Sequence, residues 1–223
     1  PPMQESSNKS FNHIKIHTQY SICEGAVKID DLKNHCKIHK IKSAGLSDTS
    51  NLCGSLEFSE NISKSGTQPI IGTQILFNFK GEVGLLPLIA KSENGYKRII
   101  ELSSKSYLEE KKEVTDPQCS IDELLEKPND IILLSGSING LIGKFFNKGK
   151  FSEIENVYKI IKESFGDNFY IEIQRHNDLN EKSFENHNLN LSKKFCLPII
   201  ATQEVYYMNK EMFEAHDALT CIG

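Results

Sequence analysis

The sequence predicts an α/β fold of parallel β-α units, with roughly seven strands arranged as a barrel related to the (β/α)8 type. Short β-rich runs alternate with amphipathic helical stretches along the whole chain. Parallel neighbours need long crossovers, which helices supply while covering both sheet faces. The 223 residues, 38% hydrophobic and 25% charged, have the size and composition of one globular domain. That domain is expected over residues 11–223. Residues 1–10 are read as a tag remnant or disordered N-terminus, because Pro1 and Pro2 precede Met3.

A first strand is expected from Asn12 to His17, then a helix from Ile29 to Lys40 with Asp30 or Asp31 in its first turn. A strand at Ile41 to Leu46, a helix at Gly54 to Ser65 and a strand opening at Pro69-Ile70-Ile71-Gly72 follow. Val83 to Lys91 reads as another strand. The helix from Tyr96 to Leu108 has Ile99, Ile100, Leu102 and Tyr107 as its apolar face. Ser120-Ile121-Asp122-Glu123 is a capping box, and Ile131 to Leu134 a buried-strand run. Ser152 with Glu155 is read as the cap of a helix carrying Val157, Ile160 and Ile161, which Gly166 ends in a left-handed cap. Tyr170 to Ile173 and Pro198 to Ala201 are further strands, and the last helix starts near Asn209.

Composition excludes several classes. A formal charge of −4 lacks the basic excess of a dedicated duplex-DNA binder, and Arg occurs only at Arg98 and Arg175. The Lys, Ile and Asn bias is that of an AT-rich genome. No apolar run reaches the length of a membrane span and Pro1 to Ser7 has no apolar h-region, so a soluble, cytoplasmic chain without membrane contact is expected. Cys23, Cys36, Cys53, Cys119, Cys196 and Cys221 form no C-x-x-C pair and are expected mostly as reduced, buried side chains. Glu109 to Glu113 reads as a solvated charge run.

Two motifs fail on detail. Gly136 to Lys144 imitates a phosphate loop but has Ile138 where a glycine is needed and Phe145 where a hydroxyl is needed, so it reads as a strand-to-helix turn. His35 and His39 share a helix face at zinc-binding spacing, but flanking lysines make a solvated face near a helix C-terminus the better reading. His187 and His216 read as surface or core histidines.

The first strand and its exit, His13-Ile14-Lys15-Ile16-His17-Thr18-Gln19-Tyr20-Ser21-Ile22-Cys23-Glu24-Gly25, are the informative stretch. Positions 13, 15 and 17 share a strand face, and the C-terminal ends of barrel strands face the usual catalytic mouth. The run resembles the opening H-x-H-x-H-T-x-[YF]-S-x-x-[DE]-G of the PHP (polymerase and histidinol phosphatase) domain family, and more narrowly the form at the N-terminus of bacterial C-family replicative polymerases. Leu46 to Gly54, Pro69 to Gln74, Leu88 to Lys91 with Gly95-Tyr96, Leu133 to Gly136, Tyr170 to His176, and Ile200 to Glu204 with Ala215-His216-Asp217 resemble later family segments in matching order.

The resemblance implies a distorted (β/α)7 TIM-like barrel, the PHP fold. In active members it implies metal ions whose bridged water cleaves phosphoesters. At the ligand positions His17 stands, and Glu24 and Glu204 keep a carboxylate. Lys15 puts an ammonium without a lone pair where the family has His. Thr49, after Asp48, replaces another His. Gln74 replaces Glu, Leu85 a His, Ser137 a His or Cys, and Tyr206 the final His. His176 matches a His that some members carry nearby. A vestigial site is therefore implied, with no metal or other cofactor expected or at most one ion on His17, Glu24 and Glu204. Lys15 is expected to pair with carboxylates among Glu24, Asp48 and Glu204 in the metal's place.

The same resemblance implies that the chain is a fragment of a magnesium-dependent DNA-directed DNA polymerase whose catalytic carboxylates lie in downstream domains. Its implied role is to support those domains and dock a proofreading exonuclease subunit, with DNA bound mainly through the parent chain. The competing reading is a divergent metal-dependent phosphoesterase or 3′-5′ exonuclease with a remodelled site on His17, Glu24, His176 and Glu204.

Overall fold

A computed structural model describes residues 11–108, 116–128 and 130–221. The Glu109 to Glu113 run and the reading of residues 1–10 lie outside them. The elements are β1 (Lys15–Ile16), α1 (Ile29–His39), β2 (Ser43–Thr49), α2 (Ser55–Lys64), β3 (Gln68–Phe79), β4 (Glu82–Ala90), α3 (Glu93–Leu108), β5 (Gln118–Ser120), α4 (Ile121–Glu126), β6 (Ile131–Leu134), α5 (Leu141–Asn147), α6 (Phe151–Phe165), β7 (Phe169–Ile173), α7 (Glu181–Phe195), β8 (Ile199–Ala201), β9 (Glu204–Val205) and α8 (Phe213–Thr220). Among the described residues no helix is long and apolar enough to cross a membrane. The chain divides into two compact units, one comprising residues up to 73 and from 202 onward, the other residues 74–201.

In unit one β1 lies between β2 and β9, parallel to both, with Ile16 opposite Leu46 and Val205. The first half of β3 continues this sheet beside β2. Ile16, Leu46 and Val205 bury their side chains against Leu32 and Cys36 of α1 and Phe58 and Ile62 of α2. Asp30 and Asp31 in the first turn of α1, and Lys37 and His39 in its last, complement the helix dipole. At Gly45 a Cβ would lie 2.5 Å from the Ile14 backbone, so only glycine lets β2 approach the entry to β1 this closely.

Unit two departs from the all-parallel expectation. Lys80 and Gly81, both at positive φ, join β3 directly to β4. So short a turn leaves no room for a crossover, and the chain must reverse. β4 then pairs antiparallel with β6, while β6, β7 and β8 run parallel and β5 pairs parallel with β3.

Three further expectations are corrected. Ile100 and Tyr107 are exposed, because the buried face of α3 is Gly95, Arg98, Ile99, Leu102 and Ser106. The buried Arg98 donates to the carbonyls of Glu123 and Lys127, which lets a guanidinium occupy a core-facing position. Helix α6 starts one residue before Ser152, after Lys150, and has no side-chain cap. All six cysteines are free, but only Cys36 and Cys119 are buried. The capping box of Ser120 and Glu123 forms as read; Gly166 ends α6 at a positive φ of 53°, but its ψ of −124° lies outside the left-handed helical region expected of it.

Candidate functional site

In unit one the strand ends bring together Lys15 and His17, Asp48 and Thr49, and Glu204 and Tyr206. Lys15 stands in register with Glu204 across the β1–β9 pair, so its ammonium reaches one carboxylate oxygen in an ion pair. His17 Nε2 donates to the other oxygen at 2.5 Å. Lys15 and His17 are fully buried and Glu204 nearly so. Burial pushes the Glu204 carboxyl up, but Lys15 and His17 outweigh it and hold it below the usual carboxylate range.

Asp48 faces the loop that leaves β1. One of its oxygens accepts the Thr18 backbone N–H at 2.6 Å and the Ser21 hydroxyl at 2.8 Å, and the other accepts the Thr18 hydroxyl at 2.7 Å. The loop turns back through Ser21, and a Cβ on Gly25 would meet the Thr18 carbonyl at 2.1 Å. Glu24 therefore sits beside Thr49, whose hydroxyl donates to its carboxylate at 2.7 Å. Asn51 closes the loop by donating to the Tyr20 carbonyl at 2.8 Å. The Tyr206 ring stacks on His17 at 4.4 Å.

The remaining candidates belong to unit two. Gln74 is buried on β3, Leu85 is half-buried on β4, and Ser137 follows β6, its hydroxyl accepting the Asn139 N–H at 3.3 Å. His176 follows β7, and its backbone N–H is shared between both Glu181 oxygens at 2.9 Å. Nearby, Glu172 is buried and accepts the Gln174 amide at 2.8 Å, while its backbone N–H donates to Ser135.

A metal centre does not fit the unit-one donor set. Lys15 delivers positive charge to Glu204 and repels any cation there. Asp48 spends both oxygens on three donors, and Glu24 takes Thr49. Among the described residues no group of three or more His, Cys, Asp or Glu side chains is placed to hold a metal ion. Of the carboxylates weighed for Lys15, the ion pair falls on Glu204.

Two residues carry more of this arrangement than the sequence assigned them. In the sequence Thr18 is one letter of a motif; in the structure it supplies two of the three donors to Asp48. The sequence reads His216 as a surface or core histidine; its Nε2 donates to the Glu24 carbonyl at 2.7 Å. The Ala215-His216-Asp217 segment was the available signal for it.

Residues 13–176 match the PHP domain family. Among curated proteins, DNA polymerase III subunit alpha of Caulobacter vibrioides is 34% identical over 99% of this chain. The subunits of the same name from Haemophilus influenzae and Borreliella burgdorferi are 33% and 31% identical over 97% and 98% of it. The chain spans only about a fifth of the length of these relatives, 20% of the first. A solved structure assigned as a metal-dependent phosphoesterase, from Bifidobacterium adolescentis, matches at a TM-score of 0.58 with 11% identity, over 89% of this chain and 88% of that one. An amidohydrolase from Chromobacterium violaceum, with bound sulfate and no metal, matches at 0.55 with 8% identity, over 93% and 96%. At such identities the likeness concerns the fold alone, and it agrees with the distorted TIM-like barrel class read from the sequence.

Proposed function

The chain belongs to the PHP domain family, and on that premise we propose that it is the PHP domain of a bacterial DNA polymerase III alpha subunit, a cytoplasmic replicative DNA-directed DNA polymerase. The match to alpha subunits over nearly the whole chain supports the parent identity. In this reading the domain is a catalytically degenerate scaffold. It supports the downstream polymerase domains and docks the proofreading exonuclease subunit, while magnesium and most DNA contacts belong to the rest of the parent chain. The observation that supports the scaffold reading is the buried ammonium of Lys15 paired with Glu204, a protein cation beside a carboxylate at a position the resemblance gives as a metal ligand.

Purified chain is expected to contain no stoichiometric zinc or manganese, to leave a chromogenic phosphoester and a DNA 3′ end intact with added manganese, and to retain the exonuclease subunit in a pull-down. Hydrolysis that disappears in His17→Ala would favour the phosphoesterase reading instead. The parent identity is tested by the gene: the reading frame beyond Gly223 should encode a polymerase palm with its catalytic aspartates, and a frame without one overturns it.

A further inference from the structure

Helix α8 has no buried residue, and at eight residues it is shorter than a helix that holds itself in water. Its inward residues are Met212 just before it, then His216 and Leu219, spaced as one helical face and only half-buried. Of this face, His216 makes the contacts with the vestigial site. His216 Nε2 donates to the Glu24 carbonyl at 2.7 Å, which requires a proton on that nitrogen. The His216 ring lies 5.8 Å from Tyr206 and 5.1 Å from Tyr207. Tyr206 in turn stacks on His17, which donates to Glu204 beside Lys15. The Glu24 carboxylate accepts the Thr49 hydroxyl beside Asp48, which holds the loop that leaves β1. From Lys15 to α8 each group touches the next, and all of them lie in unit one.

We propose that His216 is a latch: it fastens α8 to the metal-free ion-pair cluster, so that the former catalytic site now positions this helix. The inference rests on the scaffold reading only in taking Lys15, not a metal, as the cation of the cluster. His216 is a positioning residue, and the linkage runs both ways, so displacing α8 disturbs the loop around Glu24 as well.

Hydrogen exchange of the 223-residue chain, read by mass spectrometry, tests it. His216→Phe keeps a ring but loses the donor, whereas His216→Gln keeps a donor at nearly the same reach. In His216→Phe, amides of residues 213–220 and of the loop 21–26 are expected to exchange about five- to tenfold faster, the factor one hydrogen bond supplies. Amides of α1 and α2 should keep their wild-type rates. His216→Gln should restore most of the loop protection, and Tyr206→Leu should loosen α8 as His216→Phe does. Exchange of 213–220 within twofold of wild type in His216→Phe overturns the latch and leaves the scaffold reading standing. Faster exchange throughout the chain, α1 and α2 included, also overturns it, since His216 would then be a general stability residue. Stoichiometric metal in the wild-type protein would instead overturn the scaffold reading, whatever α8 does.

Discussion

In unit one the Glu204 carboxylate is met by an ammonium on one oxygen and an imidazole on the other, whereas in unit two the Glu172 carboxylate accepts the side-chain amide of Gln174. Burial does not explain the difference, since Glu172 is 2% exposed and Glu204 9%. What separates them is the neighbouring strand. β1 stands in register with β9, so Lys15 delivers a buried ammonium to Glu204. The comparison implies that the Glu204 site rests on a charge pair that fails badly when half of it is removed, whereas the Glu172–Gln174 contact tolerates neutral replacement.

The largest expected effect tests the first half of that contrast. Lys15→Met keeps the length of the side chain but leaves the Glu204 carboxylate buried without its ammonium, so unfolding free energy from urea titration should fall by about 3–5 kcal/mol. Adding Glu204→Gln removes the stranded charge, and the double variant should recover a large part of the loss. A double variant no more stable than the single one would break the comparison, because the single loss would then reflect packing around the lysine stem.

A smaller effect comes from His13, two residues before Lys15 on the same segment. Burial, and then the charge of His35, push its imidazole down to about 4. Folding therefore binds fewer protons at this site than the unfolded chain, whose imidazole titrates near its ordinary value of about 6.5. Stability from keeping His13 neutral is fully present above that value and is lost as pH falls from 6.5 toward 4, by about 2–3 kcal/mol in all. His35 and His187 are also held low by burial and act in the same direction, so the check is a difference. The slope of stability against pH between 6.5 and 4 should be shallower in His13→Gln than in wild type. Parallel slopes would show that His13 gains no protection from its burial.

Much of this was legible in the sequence where the signal is local. The Ser120 to Glu123 box formed as read because both halves of a capping box lie within one helical turn. Ser152 misled for the same reason: a hydroxyl before an apolar face looks like a cap, but the helix begins at Phe151 and takes Ser152 inside. The β3–β4 turn was missed because Lys80-Gly81 lacks the Asn-Gly or Asp-Gly signature, although Gly81 takes the positive φ that such turns need. At the site, the residue types at positions 15, 17, 24 and 204 could be read off directly. Which carboxylate Lys15 would choose could not, because that depends on the register of β1 against β9, set by strands from opposite ends of the chain. Asp48 was ambiguous on principle, since a carboxylate organising a loop and one awaiting a cation present the same letter.

The smallest effect belongs to unit two. If Gln174 and the surrounding polar groups stabilise Glu172 by hydrogen bonding without needing its charge, Glu172→Gln keeps an acceptor oxygen for the Gln174 amide and leaves the backbone bond to Ser135 untouched. The cost should then be about 1 kcal/mol or less, the scale of exchanging a charge-assisted bond for a neutral one. Glu204→Gln alone should cost clearly more, since it strands the buried Lys15 ammonium. Measuring both in the same urea series makes the contrast quantitative. Equal losses at the two sites would mean that the Glu172 site also relies on its charge, and the distinction drawn from Lys15 would no longer hold.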